Sequence, residues 1–152
     1  MLMHRIVALI GGLLLLSGCT TGLRQPEQKL TDIPVKSSEI VAASLYNNKI
    51  EQAVRNGEKW PLSPLKLVIT LLNAEAETRE ISILKTADVG ENAKHVVVTI
   101  IRDGFLDDSV RGDLHRFMLE RKDDETWRVS DVRKSRRCWR PEIKYFHSGK
   151  CQ

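Results

Sequence analysis

After Glu77 the hydrophobic period of the chain changes, and that change restricts the folds open to it. Before this point apolar residues recur at helical spacing. Ser38 to Asn56 reads as a helix with Ile40, Ala43, Ile50 and Val54 on one face, stopped by Gly57. In "WPLSPLKLVITLLN", Ser63 is a suitable N-cap and Pro64 suits the first turn, where a missing N–H costs nothing. Leu65, Val68, Ile69 and Leu72 follow the i, i+3, i+4, i+7 rule, and Leu67 and Leu71 widen the stripe, which predicts a largely buried second helix. A buried strand over Lys66 to Leu72 is the rival reading, since short apolar runs fit both. Beyond Glu77, "TREISILKTA", "KHVVVTIIRDG", "GDLHRFMLERK" and "TWRVSDVRKSRRCW" alternate or are dense in β-branched residues. Turn signals at Gly90-Glu91-Asn92, Asp103-Gly104 and Asp123-Asp124-Glu125 separate them. The expectation is an α+β domain: two N-terminal helices packed on a four-stranded antiparallel meander.

That element order resembles the cystatin-like and nuclear-transport-factor-like rolls, in which helices lie in a curved sheet. The likeness is one of order alone and transfers no function. Such a roll would leave room for a small apolar ligand between helices and sheet, which is one functional alternative.

The start of the chain carries a different kind of signal. Met1 to Arg5 holds one charge, and Ile6 to Leu16 is apolar apart from Gly11 and Gly12. This is a signal-peptide n-region and h-region, too short for the roughly 20 apolar residues of a membrane span. It ends in Leu16-Ser17-Gly18-Cys19. The tetrapeptide resembles the lipobox of bacterial lipoproteins at all four positions, a likeness confined to residues 1–19. The resemblance implies removal of a signal peptide, residues 1–18, and a diacylglyceryl group on the Cys19 sulfur, with the new amine also acylated. At about 0.8 kcal/mol per buried CH₂, several acyl chains hold a protein on a bilayer effectively permanently. Thr20 in place of aspartate after the cysteine implies the outer membrane, periplasmic face, in a Gram-negative host. Residues 19–37 are polar, contain two prolines and show no period, and so read as a lipidated, flexible tether to a single domain over residues 38–152.

Charge is distributed unevenly. The chain has 24 Lys and Arg against 20 Asp and Glu, yet residues 133–152 alone hold seven basic residues and one Glu. Such asymmetry suits an acidic partner. In an envelope this would be another protein or an anionic component, such as a lipid or polymer, with nucleic acid excluded by location. Within that segment Arg136, Arg137, Trp139, Arg140, Lys144 and Tyr145 are the candidate binding residues, because basic and aromatic side chains together suit carbohydrate or headgroup contact. The alternative is that the aromatics, Phe146 included, pack into the core.

Catalytic and metal chemistry find little footing. "RDGFLDDSVRGD" gathers Asp103, Asp107, Asp108 and Asp113, but without the spacing or terminal Glu of a calcium loop. A polar hairpin loop with Phe105 and Leu106 tucked onto the core explains it better. Asp113 and His115 share a strand face and form a generic acid–base pair, with no nucleophile motif to serve. Cys138, His147 and Cys151 have no zinc-site spacing. With Cys19 consumed by lipid, the two remaining cysteines of an exported protein are expected to pair as a disulfide. The chain therefore reads as a non-enzymatic, lipid-anchored interaction module, with no metal and no cofactor.

Overall fold

A computed structural model describes residues 29–73, 78–88 and 93–152. Cys19 and the lipobox lie outside them. Two helices, α1 (Ser44–Arg55) and α2 (Pro64–Leu72), cover one face of an antiparallel sheet built from β1 (Glu39–Ile40), β2 (Glu80–Ala87), β3 (His95–Asp103), β4 (Val110–Arg121) and β5 (Trp127–Cys138). Strand order is β1-β5-β4-β3-β2. The class is α+β, as the change of period predicts. No described helix is long and apolar enough to cross a membrane.

Two details correct the expected architecture. The sheet has five strands, and the first precedes the helices. Glu39 and Ile40 pair with Lys134 and Arg133, and the Val41 N–H donates to the Val132 carbonyl at 2.9 Å. The open edge of β5 thus takes residues expected to begin a helix, so α1 starts only at Ser44. Its buried side is Ile50 and Ala53; Ile40 and Val54 are exposed. The second helix follows its local signals. The Ser63 hydroxyl accepts the Lys66 N–H, and Asn73 ends the helix in the left-handed region at φ 46°.

The segment expected as tether also changes meaning in its described half. Residues 30–32 form a 3₁₀ turn, Leu30 and Ile33 are buried, and Val35 bridges Phe146 in the C-terminal tail. This arm lies on the sheet face opposite the helices, where Leu30, Ile33 and Phe146 enclose Ile101 and Leu114. Two aliphatic residues at the spacing of one turn dock it despite its polar composition, together with backbone hydrogen bonds from the Lys36 N–H to the Phe146 carbonyl (2.9 Å) and from the Phe146 N–H to the Pro34 carbonyl (2.8 Å).

The helix side holds the main core: Ile50, Leu67, Val68, Val98, Ile100, Phe117 and Val132, joined by Trp127 and Val129. A bulge at Ser130 shifts the register between β4 and β5. Beside it the Asn47 side chain donates to the Val129 carbonyl (2.9 Å) and accepts its N–H (3.0 Å), replacing a missing strand neighbour. Ile81 and Ile83, predicted to alternate into the core, are exposed on β2, because α1 and α2 pack over β5 and β3 and stop short of that edge.

Candidate functional site: an arginine-lined cavity

The strongest candidate site lies on the arm side, where the β3–β4 hairpin meets the end of β5. "RDG" at 102–104 and "RGD" at 111–113 run antiparallel, so Arg102 stands opposite Asp113 and Asp103 opposite Gly112. Alternation then divides the charges. Arg102 and Asp113 turn to the helix side and form a forked ion pair, Nε to Oδ1 at 2.8 Å and Nη2 to Oδ2 at 2.5 Å. Asp103 turns to the arm side, where Arg137 Nη2 donates to its Oδ2 at 2.5 Å and Arg111 Nε approaches at 3.4 Å.

Two glycines shape the floor. A Cβ on Gly112 would lie 2.7 Å from Asp103 Oδ1 and 2.4 Å from the Arg102 carbonyl. Its absence lets the Asp103 carboxylate lie flat on the neighbouring strand. Gly104 turns the chain at φ 73°, and a Cβ there would meet the Arg79 stem at 2.8 Å. The result is a cavity of about 450 Å³ lined by Leu30, Ile33, Arg79, Glu80, Asp103, Arg111, Arg137 and Trp139.

Its lining carries three arginines against two carboxylates, Asp103 and Glu80, an excess of one positive charge. Arg137 and Asp103 are buried, and Arg137 Nε and Asp103 Oδ1 have no hydrogen-bond partner among the described residues. Arg111 lies over the Trp139 ring at 4.8 Å and reaches Glu142 only at 3.3 Å. Arg79 makes no ion pair among the described residues. A guanidinium offers five N–H donors, so spare donor capacity converges here beside an apolar wall of Leu30, Ile33 and Trp139. The arrangement can hold a carboxylate, sulfate or phosphate; its described lining residues include no nucleophile.

The six expected binding residues do not form one patch. Arg137 and Trp139 line the cavity. Arg136 turns to the other face and pairs with Glu39 at 2.6 Å. Arg140 and Lys144 are exposed in the tail, and Tyr145 is half-buried beneath the Lys36 ammonium, 3.7 Å from its ring centre. Alternation along β5 separates neighbours that look contiguous in the sequence. Arg79 and Arg111 join the site from outside the expected set, and Asp103, weighed as a cation ligand, is instead the partner of arginines; the mirrored "RDG…RGD" around one hairpin is the sequence signal for Asp103 and Arg111.

The remaining constellations resolve differently. The four aspartates do not converge: Asp103 and Asp113 are taken by arginines on opposite faces, and Asp107 accepts the N–H groups of Ser109 and Val110 within its own loop. Leu106 is 72% exposed instead of tucked onto the core. Asp113 and His115 are both buried, with His115 Nδ1 3.6 Å from Asp113 Oδ2. Burial drives the His115 pKa down from 6.5 to about 4 against the pull of the Asp113 carboxylate, with Lys134 and Arg102 pushing the same way as burial. The imidazole is therefore neutral at pH 7 and sealed in protein. Cys138 and Cys151 stand at disulfide distance, Cα to Cα 5.4 Å. His147 Nδ1 accepts the Gly149 N–H at 3.0 Å, and Nε2 lies 3.4 Å from Cys138 Sγ. Where helices meet sheet, the centre is filled by Phe117, Ile100, Val98, Leu67 and Val68, while at its edge a cavity of about 600 Å³ opens between α1 and the β4–β5 turn, lined by Ile50, Glu51, Val54, Thr126 and Arg128.

Comparison of the chain with protein-family models, with curated proteins and with solved structures finds no match.

Proposed function

We propose that this chain is a lipid-anchored, non-enzymatic interaction module of the bacterial envelope, whose arginine-lined cavity holds an anionic group of an envelope partner. The observation that carries the reading is the convergence of Arg79, Arg111 and Arg137 on one cavity against two lining carboxylates, the buried Asp103 and the exposed Glu80. The lipobox-like Leu16-Ser17-Gly18-Cys19 supports the anchor, and Thr20 supports the periplasmic face of an outer membrane. Burial of Asp113 and His115 away from that cavity supports a binding role over a hydrolytic one.

Melting of the mature chain with phosphate, sulfate and citrate, each matched in ionic strength by NaCl, tests the cavity. Ligands that bind only the folded state raise Tm with concentration. At least one of these anions should do so, and Arg79→Gln, an exposed change, should remove the shift. Equal melting in anion and NaCl would end the proposal. The anchor has its own test: Cys19→Ala should leave the protein uncleaved or release it after a high-salt wash. Normal processing with salt-resistant membrane attachment in that variant would overturn the lipid reading.

A further inference from the structure

The arm covers only part of its sheet face. Beyond it, one row crosses all five strands: Leu84, Thr99, Arg116, Arg133 and Ile40, each directly opposite the next. Directly opposed residues share a face, so this whole row looks away from the helices. Its composition is unusual for a solvated surface. Ile40 is 69% exposed, Leu84 38%, and Val35 of the arm 47%. Together with Val97 and Leu114, Val35 and Leu84 line an apolar groove of about 330 Å³ flanked by Arg116 and Arg133.

The two arginines are the informative pair. Like charges directly opposite on a sheet destabilise it, so folding gives no reason for them. Asp131 reaches Arg133 at 3.1 Å, while Arg116 has no ion pair among the described residues. Guanidinium groups beside exposed aliphatic side chains match the boundary of an anionic bilayer, where phosphates meet acyl chains.

The path of the chain points the same way. The arm crosses this face, and Lys29 is ten residues beyond Cys19, a separation that spans at most about 35 Å of extended chain. An anchor on Cys19 would therefore hold the domain close to the lipid at high effective concentration, so weak contacts from this face suffice.

We propose that the open half of the arm-side sheet face, centred on Arg116 and Arg133, is the surface on which the domain rests on an anionic membrane. The orientation argument rests on the lipid-anchor reading; the surface itself does not. The test therefore uses the unlipidated mature chain carrying Cys19→Ser. Its binding is measured by co-sedimentation with vesicles of phosphatidylcholine, with and without about a third phosphatidylglycerol. Binding should require the anionic lipid and fall with salt. Arg116→Gln/Arg133→Gln should weaken it by about tenfold or more. Lys49→Gln/Lys59→Gln, on the helix side, should leave it unchanged. Absence of binding to the anionic vesicles by the parent chain overturns the proposal whatever the variants do, and so does an equal loss in the lysine pair. Mass measurement of Cys19 in membrane-extracted protein decides the anchor separately. Vesicle binding with an unmodified Cys19 would keep the surface and remove the anchor.

Discussion

On the helix side of the sheet, Val98, Ile100, Phe117 and Val132 lie fully enclosed beneath Leu67 and Val68. On the arm side the apolar cluster is five residues, and immediately beyond it Asp103 and Arg137 are buried with polar atoms unpartnered. One set of strands supplies both faces, since alternation sends successive residues to opposite sides. The helix side concentrates apolar burial. Both sides hold buried charge at some cost, because unpartnered buried polar atoms are destabilising: the Arg102–Asp113 pair and His115 sit against the helix-side core, whereas Asp103 and Arg137 border an open cavity. This difference teaches where to look for function: in the region whose side chains stability alone does not explain.

The largest expected effect tests whether the two sides differ in kind. Phe117→Ala should cost about 3–5 kcal/mol in urea unfolding, as for a fully buried aromatic. It should leave the anion-induced shift of the folded protein intact. Leu30→Ala should cost about 2–3 kcal/mol and abolish that shift, since Leu30 is both core and cavity wall. If both variants keep the shift, the division between a stabilising side and a binding side fails.

A pH titration sharpens the comparison from the helix side. Folded His115 takes its proton near pH 4, and the unfolded chain takes it near 6.5. Between those values the unfolded state binds more protons. The stabilisation is therefore complete above about pH 6.5 and lost as pH falls toward 4, amounting to about 3 kcal/mol. His115→Gln should flatten the stability profile across that window. Parallel profiles for parent and variant would assign the pH dependence to other groups.

A somewhat smaller effect belongs to the tail. Cys151→Ser should lower stability by about 2–3 kcal/mol under oxidising conditions, with little change under reducing ones. Hydrogen exchange should rise around Phe146 and the arm it bridges and stay unchanged in α2. Two reactive thiols per native chain, labelled after denaturation, would remove the premise.

Much of the fold was legible because its causes are local. Ser63 and Pro64 start α2, Gly104 turns the β3–β4 hairpin, and Trp127 and Val129 alternate into the core as their spacing requires. The failures share one cause. Ile40 looked helical by spacing, but the free edge of β5, more than ninety residues away in sequence, takes its backbone. Ile81 and Ile83 alternate as a buried strand would, yet whether helices extend over β2 depends on packing that no window of sequence contains.

By itself the sequence determined the class of the fold, the paired cysteines as candidates, and the lipobox-like entry of the chain, because each depends on residues adjacent or regularly spaced. Only the tertiary structure decided which face each of Arg136 and Arg137 takes, that Arg79 and Arg111 join Arg137 around Asp103, and that Arg116 faces Arg133. Those relations follow from strand register. A shift of one residue would exchange the two faces, and register is settled by the whole buried sheet together with its bulges.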